Sequence, residues 1–134
     1  MIKLKQLIKE SEDFLNLKFS VENLEKELEK KYPQLDNLSI YLRHYSSLFI
    51  GSIRVKSEYR GQGVGRSVIN DIKKFADDNN LVIVLSPEPQ RGYKKNLERF
   101  YKNLGFVDNK GRKKDFRYSS FFGKTMLRYP TNKK

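Results

Sequence analysis

A glycine-rich stretch in the middle of the chain is the feature whose residue types and spacing point most directly to chemistry. It reads Tyr-Arg-Gly-Gln-Gly-Val-Gly-Arg over residues 59–66, and Ser67 follows. Three glycines at alternate positions let the backbone turn without Cβ clashes, so successive N–H groups can point at one anion. Arg60 and Arg66 flank the turn, and Ser67 adds a hydroxyl donor. The stretch therefore predicts a seat for a phosphate or pyrophosphate.

The flanking segments place this loop between a strand and a helix. An apolar run, residues 48–55, precedes the loop, and a second one, residues 81–85, is typical of a buried parallel strand. Between them, apolar residues recur at helical spacing: Val64, Val68, Ile69, Ile72 and Phe75. The start of that helix adds unpaired N–H groups and the positive end of its dipole. The pattern predicts a βαβ unit with a right-handed crossover.

The spacing of the glycines excludes two common phosphate-binding motifs. A P-loop ends in Gly-Lys-Ser/Thr, whereas Gly65 is followed by Arg66. A dinucleotide fingerprint counted from Gly61 needs a glycine where Arg66 stands. The pattern that fits is Arg/Gln-x-x-Gly-x-Gly, with its first residue at Arg60 and its glycines at Gly63 and Gly65.

A second stretch lies downstream, at the end of a helix predicted from Gly92 to Leu104. It reads Arg-Phe-Tyr-Lys-Asn-Leu-Gly-Phe over residues 99–106, with Gly105 placed as a glycine C-cap. The two stretches resemble the coenzyme A loop and the "FYxxLGF" signature of the GNAT superfamily of N-acetyltransferases. The likeness covers residues 48–107 and extends more loosely to Pro130. Residues 109–116 and 126–130 also look like small acetyltransferases encoded by phages.

The resemblance implies an α/β (α+β) GNAT fold. In that fold a mixed central sheet carries a βαβ coenzyme A-binding unit and is flanked by helices. We expect residues 1–134 to form a single acetyltransferase domain that uses acetyl-CoA and no metal.

The resemblance also implies which residues form the site. The strand end Ile53, Arg54 and Val55 would lie along the pantetheine arm, with the Val55 N–H as oxyanion donor, and Tyr101 would be the general acid. The remaining coenzyme-binding residues form the loop: Arg60, Gly61, Gln62, Gly63, Val64, Gly65, Arg66 and Ser67. Many relatives carry an asparagine seven residues before the tyrosine, but here Lys94 occupies that position and Asn96 follows two residues later.

The reaction expected is acyl transfer from a thioester to an amine. The chain has no cysteine, which excludes a covalent cysteine route and favours direct attack in a ternary complex. The acceptor could be a small-molecule amine, a protein lysine or an N-terminus. Candidate bases are Glu58, Glu88 and His44, with a water relay as an equal alternative.

Composition limits the function classes further. With no cysteine and a single histidine, His44, thiolate and histidine metal sites and a serine triad are not expected. The lack of cysteine and of a signal-like apolar stretch predicts a cytoplasmic protein.

Charge is concentrated near the C-terminus. Residues 91–134 hold 14 Lys/Arg against 3 Asp/Glu, whereas residues 1–90 hold 14 against 13. This surplus leaves two further hypotheses open: an enzyme of the same fold that modifies a nucleic acid or an associated protein, and a non-catalytic module that binds coenzyme A or a polyanion. An acidic protein or nucleic acid is accordingly a possible partner.

The remaining periodicities predict the outer elements. Apolar residues between Ile2 and Leu15 indicate one helix, and Ser20 is placed to N-cap a second helix that runs to Lys31. Residues 38–43 alternate as a half-buried strand and would form a hairpin with residues 48–55. Two late segments, residues 115–118 and 124–129, are strand-like.

Overall fold

The computed structural model describes residues 3–43, 46–87, 94–110 and 125–131, with the backbone alone for residues 94–96. The elements follow in chain order: α1 Leu4–Lys31, β1 Leu35–Arg43, β2 Ser47–Val55, α2 Val64–Asp78, β3 Val82–Leu85, α3 Lys94–Asn103, β4 Val107–Asp108 and β5 Met126–Arg128. A single 3-10 turn, Ser57–Tyr59, stands between β2 and the glycine loop. No helix in these ranges is both long and apolar enough to cross a membrane.

The five strands form one mixed sheet in the order β1-β2-β3-β5-β4. Only β2 and β3 are parallel, over Ser47–Ile50 and Val82–Leu85, and the other pairs are antiparallel. Because α2 connects the two parallel strands, the predicted βαβ unit is confirmed. The β1–β2 hairpin is confirmed as well, and so is the α/β class with a mixed central sheet.

The main core lies between the sheet and the two long helices. It contains Val21 and Leu28 of α1 and is built largely around one face of α2, where Val68, Ile69, Ile72 and Ala76 are fully buried. The side chains of β3 alternate between the two faces of the sheet. Ile83 and Leu85 belong to this core. Val82 and Val84 join Leu127 and Phe49 in a smaller cluster on the opposite face.

The prediction of two N-terminal helices is wrong, because α1 is continuous from Leu4 to Lys31. Ser20 does not cap a helix: its hydroxyl donates to the Asn16 carbonyl at 3.0 Å, as a serine inside a helix does. Residues 16–19 contain neither glycine nor proline, so nothing in the backbone ends the first segment before Ser20. The C-terminal boundary is confirmed, since Pro33 lies just beyond Lys31.

The C-terminal elements are shorter than the sequence predicts. Strand β5 covers Met126–Arg128, and the two-residue strand β4 was not predicted. Gly105 has a φ of +96°, which confirms its role just after α3. The predicted strand over residues 115–118, the start of the helix before Lys94 and most of the basic residues of the last third lie outside the described residues. The hypothesis of an acidic partner therefore stays a prediction.

Polar contacts fix α2, the helix that follows the glycine loop. Near its middle, the Asp71 carboxylate accepts from Lys31 Nζ at 2.9 Å and from the Tyr32 hydroxyl at 2.7 Å. At its C-terminal end, Asp77 accepts two hydrogen bonds from the Arg128 guanidinium, at 2.8 and 3.0 Å. These contacts connect α2 to α1 and to β5, so the loop at its N-terminus extends from an anchored element.

Candidate active site

The glycine loop forms an open turn at the N-terminus of α2. Gly61 and Gly63 have φ values of +79° and +81°, and Gly63 is the N-cap of the helix. The first backbone N–H that the helix itself satisfies is that of Ser67, which donates to the Gly63 carbonyl at 3.1 Å. Because the N–H groups of the first helical turn have no intrahelical acceptor, those of Val64, Gly65 and Arg66 are directed out of the helix end. This geometry suits a phosphate.

Beside the loop, strand β2 extends beyond its parallel neighbour. The β2–β3 pairing ends at Ile50 and Leu85, while β2 continues to Val55 with β1 as its partner. The register against β1 passes from Ile40↔Ile50 to Ser39↔Ser52, so Gly51 is an extra, bulged residue. The side of β2 that faces away from β1 is therefore open over its last five residues.

Two hydrogen bonds orient the end of β2. Lys56 N–H donates to the Gln34 carbonyl at 2.8 Å, on the β1 side. Because successive N–H groups of an extended chain point to opposite sides, the Val55 N–H points away from β1 and into the gap. Arg60 Nε donates to the Val55 carbonyl at 3.3 Å, which places the loop on the same side. Thus both polar groups of the Val55 backbone face the loop.

The loop, the open edge of β2 and helix α3 surround a cavity of about 710 Å³. Tyr101 lies in its wall, with ring centroids of Phe100 and Phe106 at 5.2 and 5.6 Å. Burial raises the pKa of the Tyr101 hydroxyl above its usual value of 10.0, so it stays protonated at neutral pH. A protonated phenol in this position could donate a proton or a hydrogen bond to a group in the cavity.

The structure brings ten of the twelve predicted site residues to the cavity wall. They are Ile53, Arg54, Val55, Arg60, Gly61, Gly63, Val64, Gly65, Arg66 and Tyr101. The other two, Gln62 and Ser67, are exposed and do not line it. The Gln62 side chain is directed to the Glu58 carbonyl at 3.5 Å. The proposed roles of all twelve remain predictions.

Several lining residues were not predicted to belong to the site. Ser86 directly follows β3, and a residue at the carboxyl end of a parallel strand is a recognisable signal for a ligand site. Gly51 carried a signal too, because a glycine inside a strand pattern often marks a bulge. Leu97 and Phe100 of α3 gave no comparable signal, since apolar residues on a helix face are usually core.

The candidate bases do not belong to the described cavity wall. Glu58 is exposed on the 3-10 turn and is not among the lining residues. His44 and Glu88 lie outside the described residues, as do the side chains of Lys94 and Asn96. Within the described ranges, no three His, Cys, Asp or Glu residues form a group that could hold a metal ion.

Comparison with known proteins gives a family and a set of similar folds. The sequence model of the acetyltransferase (GNAT) domain matches residues 33–108, more than half of the chain. A sequence comparison with curated proteins gives no significant match.

Three solved structures illustrate the similarity. A GNAT-family acetyltransferase from Staphylococcus aureus Mu50 superposes with a TM-score of 0.56 at 15% identity, covering 70% of this chain and 58% of that one. A Lactobacillus plantarum protein assigned as an N-acetyltransferase gives 0.52 at 18% identity, over 70% and 59%. The anti-CRISPR protein AcrVA5 gives 0.50 at 22% identity, over 67% and 85%. This chain therefore spans less than three fifths of the length of the first two.

These likenesses agree with the architecture described above. The matched segment, residues 33–108, runs from just before β1 to the end of β4 and so includes the β2–loop–α2–β3 unit, α3 and the cavity. The chain belongs to the GNAT acetyltransferase family.

Proposed function

We propose that this chain is an N-acetyltransferase that transfers an acetyl group from acetyl-CoA to an amine, with residues 1–134 as one catalytic domain. The observation that carries the proposal is the position of the cavity. It lies where the N-terminus of α2, the open edge of β2 and the Tyr101 ring meet. The N-terminus of α2 suits a pyrophosphate, and the open edge of β2 offers backbone groups to an extended amide chain. The Tyr101 hydroxyl offers a proton donor.

Acetyl-CoA supplies the acetyl group as a thioester and carries a pyrophosphate on the same molecule. The turn at Gly61 and Gly63, with the N–H groups of the first helical turn, would hold the pyrophosphate. Arg60 and Arg66 would add charge-assisted hydrogen bonds. Backbone groups of Ile53 and Val55 would pair with the amides of the pantetheine arm, because both residues present the same side of β2 to the gap.

Two groups of the chain are positioned to assist the chemistry. The Val55 N–H would donate to the thioester carbonyl oxygen as negative charge develops there. The Tyr101 hydroxyl would give its proton to the departing sulfur, and its raised pKa keeps that proton available. Since the chain has no cysteine, the amine would attack the thioester directly.

The test is product formation. Purified protein is mixed with isotope-labelled acetyl-CoA and a panel of amines, and acetylated products are identified by mass spectrometry. Because the chain has no cysteine, a thiol reagent reports released coenzyme A alone. We expect transfer to at least one amine, and none with Gly63→Asp. Tight acetyl-CoA binding without transfer to any amine class would contradict the proposed enzymatic function. It would favour the alternative hypothesis of a non-catalytic module that binds coenzyme A.

A further inference from the structure

The first half of α1 extends beyond the hydrophobic core. The helix has 28 residues and is therefore about 42 Å long, but its buried side chains, Val21 and Leu28, both lie in the second half. All ten residues from 4 to 13 are exposed. This segment therefore receives little stabilisation from burial within its own domain.

The start of α1 also lacks the local features that stabilise a helix end. Lys3 is the N-cap, and it makes no side-chain capping hydrogen bond. The first turn contains no acidic residue, and Lys5 lies there instead, where the helix dipole disfavours a positive charge. Since an isolated helical segment of this length is marginal in water, packing against a partner is what would stabilise it.

Large apolar side chains form an exposed stripe along this part of α1. They recur at helical spacing, and each is between 46% and 72% exposed: Leu4, Leu7, Ile8, Leu15 and Phe19. At 3.6 residues per turn, the stripe lies roughly 120° around the helix axis from the side that carries Val21 and Leu28 into the core. It is therefore a second apolar face of α1, separate from the one that the core covers.

The exposed stripe has the heptad spacing of a short helix pair. Ile8 and Leu15 are seven residues apart, as are Leu4 and Ser11, so they take the a and d positions of two successive heptads. The next d position is Lys18, so the apolar repeat ends near the point where α1 reaches the core. The repeat is thus confined to the part of the helix that the domain leaves exposed.

Charge selects the orientation in which two copies of this stripe fit together. Lys5 and Glu12 take the e positions that flank it. In an antiparallel pair the e positions face each other, so Lys5 of each copy meets Glu12 of the other and two ion pairs form. In a parallel pair the e positions face g positions, and Glu12 would meet Leu7 instead. The antiparallel pair is therefore the complementary one.

We propose that the exposed stripe of α1 binds a second copy of this chain, as a two-fold symmetric, antiparallel helix pair. In this register a residues pack against d residues, so Leu15 meets Leu4 of the other copy and Ile8 meets Ser11. Each large side chain of the stripe exposes on the order of 100 Å², so the pair would bury roughly 1,000 Å² in total, the lower end for a specific interface. We therefore expect a reversible dimer.

Dimer formation is independent of the proposed acetyl transfer, because α1, which the structure describes over its whole length, contributes no residue to the cavity wall. The test is sedimentation velocity of the full chain from about 1 µM to about 1 mM. Moderate salt screens the repulsion between two chains of net charge +12. We expect a monomer–dimer equilibrium in the unaltered protein.

A charge at the centre of the stripe should abolish the dimer. Ile8→Glu removes two buried side chains per dimer and places two carboxylates there, so the dissociation constant should rise at least about a hundredfold. Glutamate is a good helix former, so α1 itself should be retained. Circular dichroism and a melting curve check the helix content and the fold of each variant.

Charge exchange tests the antiparallel register. Lys5→Glu and Glu12→Lys should each weaken the dimer about tenfold, because either change replaces two ion pairs with two repulsive contacts. The combined variant restores both pairs with reversed polarity, and its dissociation constant should return to within about threefold of the original. Lys9→Glu is the matched control, since Lys9 is an exposed lysine of the same segment at a b position, away from the stripe.

A monomer over the whole concentration range would overturn the inference, and so would a dimer that Ile8→Glu leaves intact. A combined charge-exchange variant that does not recover, or a control variant that weakens the dimer as much as Lys5→Glu, would contradict the proposed pairing. Monomeric protein that binds vesicles of anionic lipid, and loses that binding in Ile8→Glu, would overturn the inference in favour of a membrane surface as the occupant of the stripe.

Discussion

The Phe100 ring reaches to 3.6 Å from the position that a Cβ atom on Gly65 would occupy. This contact connects two stretches that carry the family resemblance, since Gly65 belongs to the glycine loop and Phe100 to α3. It is an ordinary van der Waals contact, so Gly65 is not required by crowding from the protein. Gly65 also has no positive φ, unlike Gly61 and Gly63. The three glycines therefore have different roles in the turn.

Alanine at Gly63 and at Gly65 should accordingly have opposite effects on stability. Gly63→Ala places a Cβ at a φ of +81° and should cost about 1–2 kcal/mol. Gly65→Ala meets no clash and replaces a helical glycine, so it should stabilise the protein by up to about 1 kcal/mol. Chemical denaturation of both variants measures the difference. A loss of stability in Gly65→Ala as large as that in Gly63→Ala would contradict the described turn.

Replacing Tyr101 with phenylalanine should separate chemistry from binding. The ring keeps its contacts with Phe100 and Phe106, and only the proton donor is removed. We expect Tyr101→Phe to lower kcat at least about tenfold while the Kd for acetyl-CoA stays unchanged. Tyr41→Phe is the control, because Tyr41 is exposed and does not line the cavity. An unchanged kcat in Tyr101→Phe would contradict the role of Tyr101 as proton donor and show that its ring only packs in the core.

Arg60 should contribute to coenzyme affinity through charge and through its fixed position. Its hydrogen bond to the Val55 carbonyl holds the guanidinium beside the loop. Arg60→Gln should weaken acetyl-CoA binding about tenfold, as expected for loss of a charge-assisted hydrogen bond. Arg99→Gln removes an exposed charge from α3 away from the cavity wall and should change affinity little. Equal losses of acetyl-CoA affinity in Arg60→Gln and Arg99→Gln would indicate a general electrostatic effect and contradict a specific contact by Arg60.

The Asp77 carboxylate should make the free energy of unfolding depend on pH in the acid range. Its hydrogen bonds with Arg128 lower the pKa of the carboxyl from 3.8 to about 2, although partial burial opposes the shift. Because the folded-state pKa is depressed, the stabilisation is complete above about pH 5 and is lost as the pH falls through about 2. Its size is about 2 kcal/mol.

Asp77→Asn should therefore unfold at lower denaturant concentration at pH 7, and the gap to the unaltered protein should narrow between pH 4 and pH 2. Asp78→Asn, at the exposed neighbouring position, serves as the control. A gap that stays constant as the pH falls would contradict the assignment to this carboxylate.

The sequence predicted the elements around the loop well because their signals are local. The apolar face of α2, the run that forms β3 and the C-cap at Gly105 each depend on residues close together in the chain. Strand β4 has two residues, too few to show an alternation, and it is defined by pairing with the distant β5. The predicted helix boundary at Ser20 was wrong for another reason. A serine hydroxyl can cap a helix N-terminus or donate to a carbonyl inside a helix, and the conformation of the neighbouring backbone determines which of the two occurs.

The parts of the candidate site that are contiguous in sequence were predictable, whereas the parts that tertiary packing brings together were not. The glycine motif predicted the loop, and the family resemblance predicted the end of β2. Leu97 and Ile69 line the same cavity but lie on helix faces whose apolar pattern indicates only core. The outward orientation of the Val55 N–H follows from the hydrogen bonds of Lys56 and Arg60, and its role as oxyanion donor stays a prediction. Neither bond could be inferred from residue types alone.

A calorimetric titration of the protein with acetyl-CoA tests most directly whether the glycine loop binds the coenzyme. Moderate salt screens non-specific attraction to a basic chain. We expect saturable binding of acetyl-CoA at one site, abolished in Gly63→Asp and largely retained in Gly63→Asn. Asparagine tolerates the positive φ about as well as aspartate but brings no charge to the phosphate seat. No saturable binding by the unaltered protein, or equal affinity in Gly63→Asp, would contradict the assignment of this loop to the coenzyme.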